Sequence, residues 1–157
     1  MHELITADSV ICDLQETSRT GAIRELVEKL AAAGRISSDS VDGIAKSIVA
    51  RERSRGSTGF GKGVAIPHTK LPELTRVVAA IGRSSKGIDF SALDGAPVFA
   101  VILILSPEED AAAHLKAMDV VFSTLQQERF RKFLRNSDTV EKIVELLKDA
   151  EDLAKVG

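Results

Sequence analysis

The feature that most constrains the fold is an uninterrupted apolar run of eight residues, 98–105, with the sequence VFAVILIL. Apolar and polar residues do not alternate in this run, so it predicts a β-strand that is buried on both faces. Residues 10–14 and 77–81 predict two further strands. Residues 93–97, LDGAP, predict the turn that precedes the buried strand.

Apolar residues at helical spacing predict four helices. Ser18 and Asp39 are the candidate N-caps of the first two helices, and Gly34 ends the first. Asp138 and Glu141 stand three apart, in the pattern of a capping box for the last helix. The order of strands and helices predicts a mixed α/β fold. The apolar positions that define the helices are Ile23, Leu26, Val27 and Leu30; Val41, Ile44, Ala45, Ile48 and Val49; Leu115, Met118, Phe122 and Leu125; and Val140, Ile143, Val144 and Leu147.

The length of 157 residues and the 44% hydrophobic content predict a single compact domain over 1–157, with fraying expected at 150–157. The net charge of -2 lacks the basic excess that attracts nucleic acid or an anionic membrane surface. The single cysteine, Cys12, excludes an internal disulfide and fits a reducing compartment. No run resembles a signal peptide or a transmembrane segment. We therefore expect a soluble cytoplasmic protein without a nucleic-acid partner and without membrane insertion.

A glycine-rich segment, 56–63, predicts a loop with unusual backbone angles. Its first seven residues, GSTGFGK, match the nucleotide-binding P-loop, but Gly63 stands where that motif needs a serine or threonine for magnesium. A helix also precedes this loop, whereas a P-loop opens a helix. We therefore reject a nucleotide site. The loop amides, with the hydroxyls of Ser57 and Thr58, can still form a concavity that binds an anion; the alternative is a purely structural connection.

Two of the three histidines are candidates for chemistry. His68 follows Pro67 and an apolar segment, which places its imidazole at a strand end beside the glycine loop, where it can act as a nucleophile near neutral pH. His114 lies at the start of a predicted helix. His2 lies in a segment that we expect to be loosely ordered. No third ligand stands at a recognisable metal-binding spacing, so no metal site is predicted.

Residues 57–68, STGFGKGVAIPH, resemble the phosphorylation-site motif of phosphotransferase-system IIA domains of the fructose, mannitol and nitrogen-regulatory type. The similarity continues through 87–90 (GIDF), 93–97 (LDGAP), 105–107 (LSP) and the pair at 114–115, so it covers nearly the whole chain. The resemblance implies a mixed β-sheet flanked by helices. It also implies that His68 accepts a phosphoryl group from phospho-HPr through its ε nitrogen and that His114 supports it by hydrogen bonding. No cofactor is implied.

The phosphate-binding residues expected from the loop and the resemblance are Ser57, Thr58, Gly59 and Gly61. The family also places an arginine a few residues before the Ser-Thr-Gly segment. Ungapped counting puts that position on Glu52, a one-residue insertion restores Arg51, and a shifted register favours Arg53. Both arginines stay open, with Arg51 ranked ahead because an extra residue at a helix end, such as Arg55, is easily tolerated.

Two functions are compatible with these residues. The first is a phosphocarrier that passes the phosphoryl group to a IIB domain or uses it as a regulatory signal. The second is a regulatory binding module with vestigial phosphorylation. The displaced arginine favours the second function, whereas His68, His114 and the glycine loop favour the first. No segment resembles a IIB or IIC domain, so the stand-alone nitrogen-regulatory branch is the nearer one. The candidates for an apolar docking rim around His68, with core packing as the alternative, are Phe60, Ile66 and Met118.

Overall fold

The fold is built around one central strand, as the apolar run predicts. A computed structural model describes the backbone of residues 1–156 and the side chains of residues 1–150. Within them lie a six-stranded sheet and five α-helices. The strands are β1 (Val10–Ile11), β2 (Gly59–Gly61), β3 (Val64–Ala65), β4 (His68–Leu71), β5 (Val78–Ile88) and β6 (Val98–Pro107); the helices are α1 (Arg19–Ala32), α2 (Val41–Arg55), α3 (Ala111–Gln126), α4 (Glu128–Arg135) and α5 (Val140–Val156).

The sheet is mixed, and both of its faces are covered by helices. Its order is β1-β5-β6-β3-β2, with β4 also paired to β6. β5 runs antiparallel to β6, whereas β3 and β4 run parallel to it. All ten residues of β6 are buried. The predicted mixed sheet flanked by helices, with a central strand buried on both sides, is therefore confirmed.

Side chains from β6 alternate between two hydrophobic cores. Leu103 and Leu105 pack into the core formed with α1 and α2. Ile102 and Ile104 pack into the core formed with α3, α4 and α5. Because successive side chains of a strand point to opposite faces, a run without alternation fills both cores at once.

One edge of β6 pairs with a strand that is interrupted at a proline. β3 and β4 follow β6 in the same register, with Val64 opposite Ala100 and His68 opposite Ile104. Between them, Pro67 has no N–H to donate, while its carbonyl accepts from the Ile104 amide at 3.0 Å. His68 therefore opens β4, rather than closing the apolar segment before it as the sequence predicted.

Helix termini differ from the predictions where a neighbouring residue offers a better cap. Ser18 caps α1, accepting from the Gly21 amide at 3.0 Å, as predicted. Asp39 does not cap α2, because a short 3₁₀ turn, Ser38–Ser40, comes first. At α5, Thr139 Oγ1 accepts from the Lys142 amide at 3.2 Å, and Asp138 instead pairs with the Lys142 ammonium group. The capping box predicted from Asp138 and Glu141 is therefore wrong.

Three elements differ from the predictions in extent. The glycine segment contains the short strand β2, β5 continues seven residues beyond the predicted end at 81, and α4 was not predicted at all. Helix α4 packs on the core through Phe130 and Leu134, which are four residues apart and buried. Most of its other residues are charged. The predicted fraying at 150–157 falls mainly on residues outside those whose side chains are described.

Candidate functional site

The hydrogen bond of the His68 ring determines which of its nitrogens is available. His68 is half-buried at the start of β4, and its Nδ1 lies 2.8 Å from the carbonyl oxygen of Ile66. A carbonyl oxygen only accepts, so Nδ1 carries the proton of the neutral ring. Nε2 is then the nitrogen with a lone pair, and the only one that can act as a nucleophile.

His114 lies beside His68 because the loop after β6 turns directly into α3. Asp110 caps α3 by accepting from the Ala113 amide at 3.0 Å, which places His114 in the first turns of the helix. Its ring is buried, and its centroid is 5.6 Å from that of His68. The structure thus brings together the two histidines that the sequence singled out, although 46 residues separate them in the chain.

A buried serine sets the tautomer of His114. Ser106 Oγ lies 2.7 Å from Nδ1 of His114, and Ser106 is fully buried. The hydroxyl has no second hydrogen-bond partner among the described residues. Because a buried O–H must donate to avoid a desolvation cost, it donates to Nδ1, and the proton of neutral His114 is then on Nε2. The Nε2 atoms of the two rings therefore differ, since that of His68 has a lone pair and that of His114 carries a proton that it can donate.

The environment of His114 favours its neutral form. Burial lowers its pKa below the usual 6.5, and repulsion from the His68 ring in its charged form and from Lys70 and Arg51 lowers it further. His114 is therefore a neutral hydrogen-bond donor at physiological pH.

A depression of about 220 Å³ lies between the end of α2, the glycine loop and His68. Of the two arginines left open by the sequence, Arg51 lines this depression and Arg53 does not. Arg55, treated above as an inserted residue, also lines it. The depression therefore combines an imidazole with two guanidinium groups, which is a setting suited to an anion.

Glu52 is a site residue that sequence reasoning missed. It is 3% exposed and lies in the wall of the depression. Its carboxylate accepts from the Thr58 amide at 3.0 Å and from the Thr58 hydroxyl, and it lies 3.9 Å from the Arg19 guanidinium. A signal was present in the sequence, since Glu52 stands four residues after the buried Ile48 and so continues the apolar face of α2.

The donors of the glycine loop are largely engaged within the protein. Ser57 and Thr58 line the depression, but Thr58 donates to Glu52, while Ser57 Oγ donates to the Phe90 carbonyl and accepts from the Gly59 amide. Gly59 and Gly61 are not in the lining of the depression. Gly61 is the last residue of β2, where it pairs with Val64 of β3. A phosphoryl group could therefore accept hydrogen bonds from Ser57 and Thr58 only if it replaced the acceptors that these residues have now.

An exposed apolar surface lies on α3 next to the histidines. Leu115, the residue after His114, is 68% exposed, and Met118 is half-buried. The Phe122 ring contacts that of Phe60 at a centroid distance of 5.0 Å. Ile66 is only 2% exposed and belongs to the core, so its candidate place in a docking rim is wrong. We call Phe60, Leu115, Met118 and Phe122 the apolar rim.

The family of the chain follows from comparison with known proteins. Residues 3–150 match the family model described as "Phosphoenolpyruvate-dependent sugar phosphotransferase system, EIIA 2". The chain belongs to this EIIA family. The resemblance seen in the sequence is therefore confirmed.

Curated relatives of this EIIA domain include regulatory and sugar-specific proteins. A nitrogen regulatory protein of Bradyrhizobium diazoefficiens is 33% identical over 145 residues, which cover 92% of each chain. The fructose-specific EIIABC component of Bacillus subtilis is 30% identical over 145 residues, or 92% of this chain. The aligned part is only 22% of that longer protein. The domain is thus similar both to separate regulatory proteins and to one part of a sugar-specific component.

Solved structures show the same fold. The nitrogen regulatory protein IIA-Ntr of Neisseria meningitidis superposes with a TM-score of 0.82 and 26% identity, covering 93% of this chain and 97% of that one. The Escherichia coli mannitol IIA, solved in complex with phosphorylated IIB, superposes with a TM-score of 0.74 and 19% identity, covering 93% and 99%. The second match supports the fold of the EIIA domain alone.

The described residues of the EIIA domain form neither a metal site nor a membrane-spanning helix. Among the described residues, no three histidine, cysteine or acidic side chains are grouped so that they could hold a metal ion. Nor does any helix in the described part of the chain have the length and apolar character to cross a membrane.

Proposed function

We propose that this EIIA domain is a phosphocarrier in which Nε2 of His68 accepts a phosphoryl group from phospho-HPr. The observation that carries the proposal is the hydrogen bond from Nδ1 to the Ile66 carbonyl, which leaves the lone pair on Nε2. The family supports a role in phosphoryl transfer, and the donor and recipient are part of the proposal.

In the proposed step, Nε2 of His68 attacks phosphorus as the bond between phosphorus and the donor's histidine breaks. The leaving imidazole keeps the electron pair of that bond, and the His68 ring becomes a phosphorylated imidazolium that retains its Nδ1 proton. The Ile66 carbonyl, which accepts this proton's hydrogen bond, stabilises the added positive charge. Onward transfer reverses the same chemistry toward a IIB domain, as the mannitol complex suggests, or the phosphorylated state itself acts as a signal.

The surrounding groups stabilise negative charge on the transferred phosphoryl group. His114 donates from Nε2, and Arg51 supplies a guanidinium in the wall of the depression. Ser57 and Thr58 contribute if the phosphoryl group competes with Glu52 and Phe90 for their donors. The apolar rim beside the histidines provides the contact surface for the donor protein.

The alternative function, a regulatory binding module with vestigial phosphorylation, also has a specific observation in its favour. Glu52 places a buried carboxylate in the wall of the depression and occupies both donors of Thr58. A negative charge at this position opposes binding of a second anion. The two functions therefore differ in whether the domain turns over phosphate.

Intact-protein mass after incubation with phosphoenolpyruvate, enzyme I and HPr tests the proposal. We expect one acid-labile phosphoryl group on the native chain and on the control His2→Ala, and none on His68→Ala. Nitrogen-15 NMR of the product should place the phosphorus on Nε2. An unmodified native chain would favour the binding module, and phosphorus on Nδ1 would contradict the tautomer.

The same assay distinguishes the two arginines. Arg51→Gln and Arg53→Gln remove the same charge from neighbouring positions of α2, but only Arg51 lines the depression. We expect Arg51→Gln to slow phosphorylation and Arg53→Gln to leave its rate unchanged. The reverse result would assign the role to Arg53.

A further inference from the structure

A second concave site lies apart from the histidines. It is a groove of about 690 Å³ between the β2–β3 turn, the end of β5, the start of β6 and the end of α4. It shares no lining residue with the depression beside His68. His68 pairs with Ile104 in β6, whereas this groove reaches only the first two residues of that strand. The two sites therefore lie toward different ends of β6.

The groove is strongly basic in a protein whose net charge is -2. Its lining holds four cationic side chains, Lys62, Arg83, Lys86 and Arg135, and one carboxylate, Asp94. Asp94 accepts from the Lys62 and Ala96 amides at 3.1 and 3.0 Å, and the described residues form no ion pair with any of the four cations. Such a local excess of positive charge attracts anions.

Two further carboxylates lie within electrostatic range of the groove's cations, Asp13 near Arg83 and Lys86 and Asp138 near Arg83, and both already have partners. Asp13 accepts from the amide and hydroxyl of Ser85, and Asp138 is paired with Lys142. Neither lines the groove. The cations that line the groove therefore outnumber the acids that line it by four to one.

The cationic groups are partly preorganised. The Arg83 guanidinium donates from Nε to the Arg135 carbonyl at 2.9 Å and from Nη1 to the Cys12 carbonyl at 3.1 Å, which fixes its plane and leaves Nη2 for another acceptor. The Arg135 guanidinium lies over the Phe99 ring, 5.2 Å from its centroid. A fixed guanidinium loses little freedom on binding, so it favours a ligand that matches its geometry.

The floor of the groove is also rigid. The Gly63 carbonyl accepts from the Phe99 amide at 2.8 Å, and a Cβ at Gly63 would lie only 2.5 Å from the Phe99 ring. The positive φ of 79° at Gly63 also favours glycine. The β2–β3 turn is therefore held directly against the ring that supports Arg135.

We propose that this groove binds a phosphorylated small molecule of nucleotide size, with at least two phosphate charges. The Lys62 ammonium donates to Gln126 Oε1 at 3.4 Å, and the other three cations are still more than a single phosphate needs. The volume lies within the usual range of about 300–1,000 Å³ for small-molecule sites. The flat guanidinium of Arg135 over Phe99 provides a surface on which a planar ring can stack. This inference does not depend on the phosphorylation of His68.

Isothermal titration calorimetry with orthophosphate, pyrophosphate, ATP and adenosine tests the proposal. We expect pyrophosphate and ATP to bind, orthophosphate to bind more weakly, and adenosine not to bind. Lys86→Gln/Arg135→Gln should weaken ATP binding about tenfold or more, because it removes two charged contacts. The matched control Lys46→Gln/Lys148→Gln, which removes the same charge from exposed helix positions, should change it by less than about twofold.

Amide shifts in NMR give a second readout that does not depend on the variants. ATP should shift Gly63 and Gly87 in the groove and leave Gly34 unchanged. No binding of pyrophosphate or ATP, equal weakening in both double variants, or shifts that miss the groove would overturn the proposal. Tighter binding of a single-stranded oligonucleotide than of ATP would also overturn it, since the groove would then be part of a nucleic-acid surface.

Discussion

His68 and His114 are made different by the residue behind each ring. The Ile66 carbonyl accepts a hydrogen bond from Nδ1–H of His68, whereas the Ser106 hydroxyl donates to Nδ1 of His114. Each contact selects one tautomer, and the two tautomers give one ring a nucleophilic nitrogen and the other a donor. The proposed division of roles therefore depends on two groups, the Ile66 carbonyl and the Ser106 hydroxyl, that take no part in the proposed transfer.

His114 makes the stability of the free protein depend on pH. Its pKa is lowered by burial first and then by nearby positive charge, so below the usual value of 6.5 the unfolded chain binds more protons than the folded one. Stability is then present above that value and is lost as the pH falls through the folded-state pKa. We expect the wild type to lose more stability than His114→Gln between about pH 7.5 and about pH 5.5 in urea unfolding.

Titration of the His114 ring by NMR checks the same point directly. It should titrate below 6.5 in the free protein. Phosphorylation of His68 should raise the pKa of His114, since a phosphoryl group adds negative charge near the His114 ring. Titration of the free protein at or above 6.5 would contradict this account.

Glu52 holds the glycine loop through Thr58. Glu52→Gln keeps the shape of the side chain but leaves one oxygen for the two donors of Thr58, so one of these half-buried donors loses a charged acceptor. We expect a loss of about 1–3 kcal/mol in the free energy of unfolding, measured in urea. The control Glu28→Gln removes an exposed partner of Arg24 and should cost less than about 0.5 kcal/mol. Equal losses in the two variants would show that the Thr58 contacts do not stabilise the loop.

At the scale of single elements, α3 serves both the core and the surface. The sequence predicted that Leu115, Met118, Phe122 and Leu125 form its apolar face, but the side chains that face the sheet are those of His114, Ala117, Val121 and Leu125. The buried face is turned by about one residue from the predicted one. As a result His114 is buried, while Leu115 and Phe122 are left exposed and Met118 half-buried as the part of the apolar rim that α3 supplies.

The cap of α3 positions His114. Asp110→Ala and Ser18→Ala each remove a side chain that accepts an amide at 3.0 Å in the first turn of a helix. Both should lower the free energy of unfolding by about 1 kcal/mol. Only Asp110→Ala should also slow phosphorylation of His68, because α3 carries His114 and α1 does not. Equal phosphorylation rates in the two variants would argue against a positioning role for the cap.

The exposed face of α3 is expected to contact the donor protein. Phe122 and Phe133 are 45% and 51% exposed, and Phe→Gln at either position should change stability little. Phe122→Gln should slow phosphoryl transfer from HPr about fivefold or more, since it removes an aromatic residue of the apolar rim. Time courses of intact-protein mass measure both rates. A comparable effect of Phe133→Gln would place the contact elsewhere.

At the scale of the whole molecule, β6 joins the two cores into one unit. Ile102 and Leu103 are adjacent and fully buried, yet they pack on opposite faces of the sheet. Substitution of either by alanine should cost about 2–5 kcal/mol. Both variants should still unfold in a single transition, because each core depends on the same strand.

Far-UV circular dichroism in urea measures this unfolding, since the chain has no tryptophan or tyrosine. The NMR signals of His68 and His114 should disappear over the same range of urea. If the signals of one core were lost before those of the other in either variant, the two cores would be separate cooperative units.

Features that depend on neighbours in the chain could be predicted from the sequence. The run at 98–105 indicated the central strand, Ser18 and Gly34 bounded α1, and the motif ending at His68 indicated the family. Strand burial, helix capping and the approach of a histidine after a proline all depend on residues a few positions apart. Helix α4 was not predicted, because only two of its residues, Phe130 and Leu134, mark a buried face, and two positions are too few to establish a helical period.

Features that depend on packing between distant segments were decided only by the tertiary structure. Two apolar stripes overlap on α3, and the sheet determines which of them is buried. The contacts of Glu52 with Thr58 and Arg19, the choice of Arg51 over Arg53 as a lining residue, and the convergence of four cations in the groove all require helices and strands to meet in space. The sequence by itself determined most of the elements and the family, and it singled out His68 as the candidate acceptor. The packing of α2 and α3 around the sheet decided what surrounds that histidine, because side-chain contacts across elements follow no local spacing.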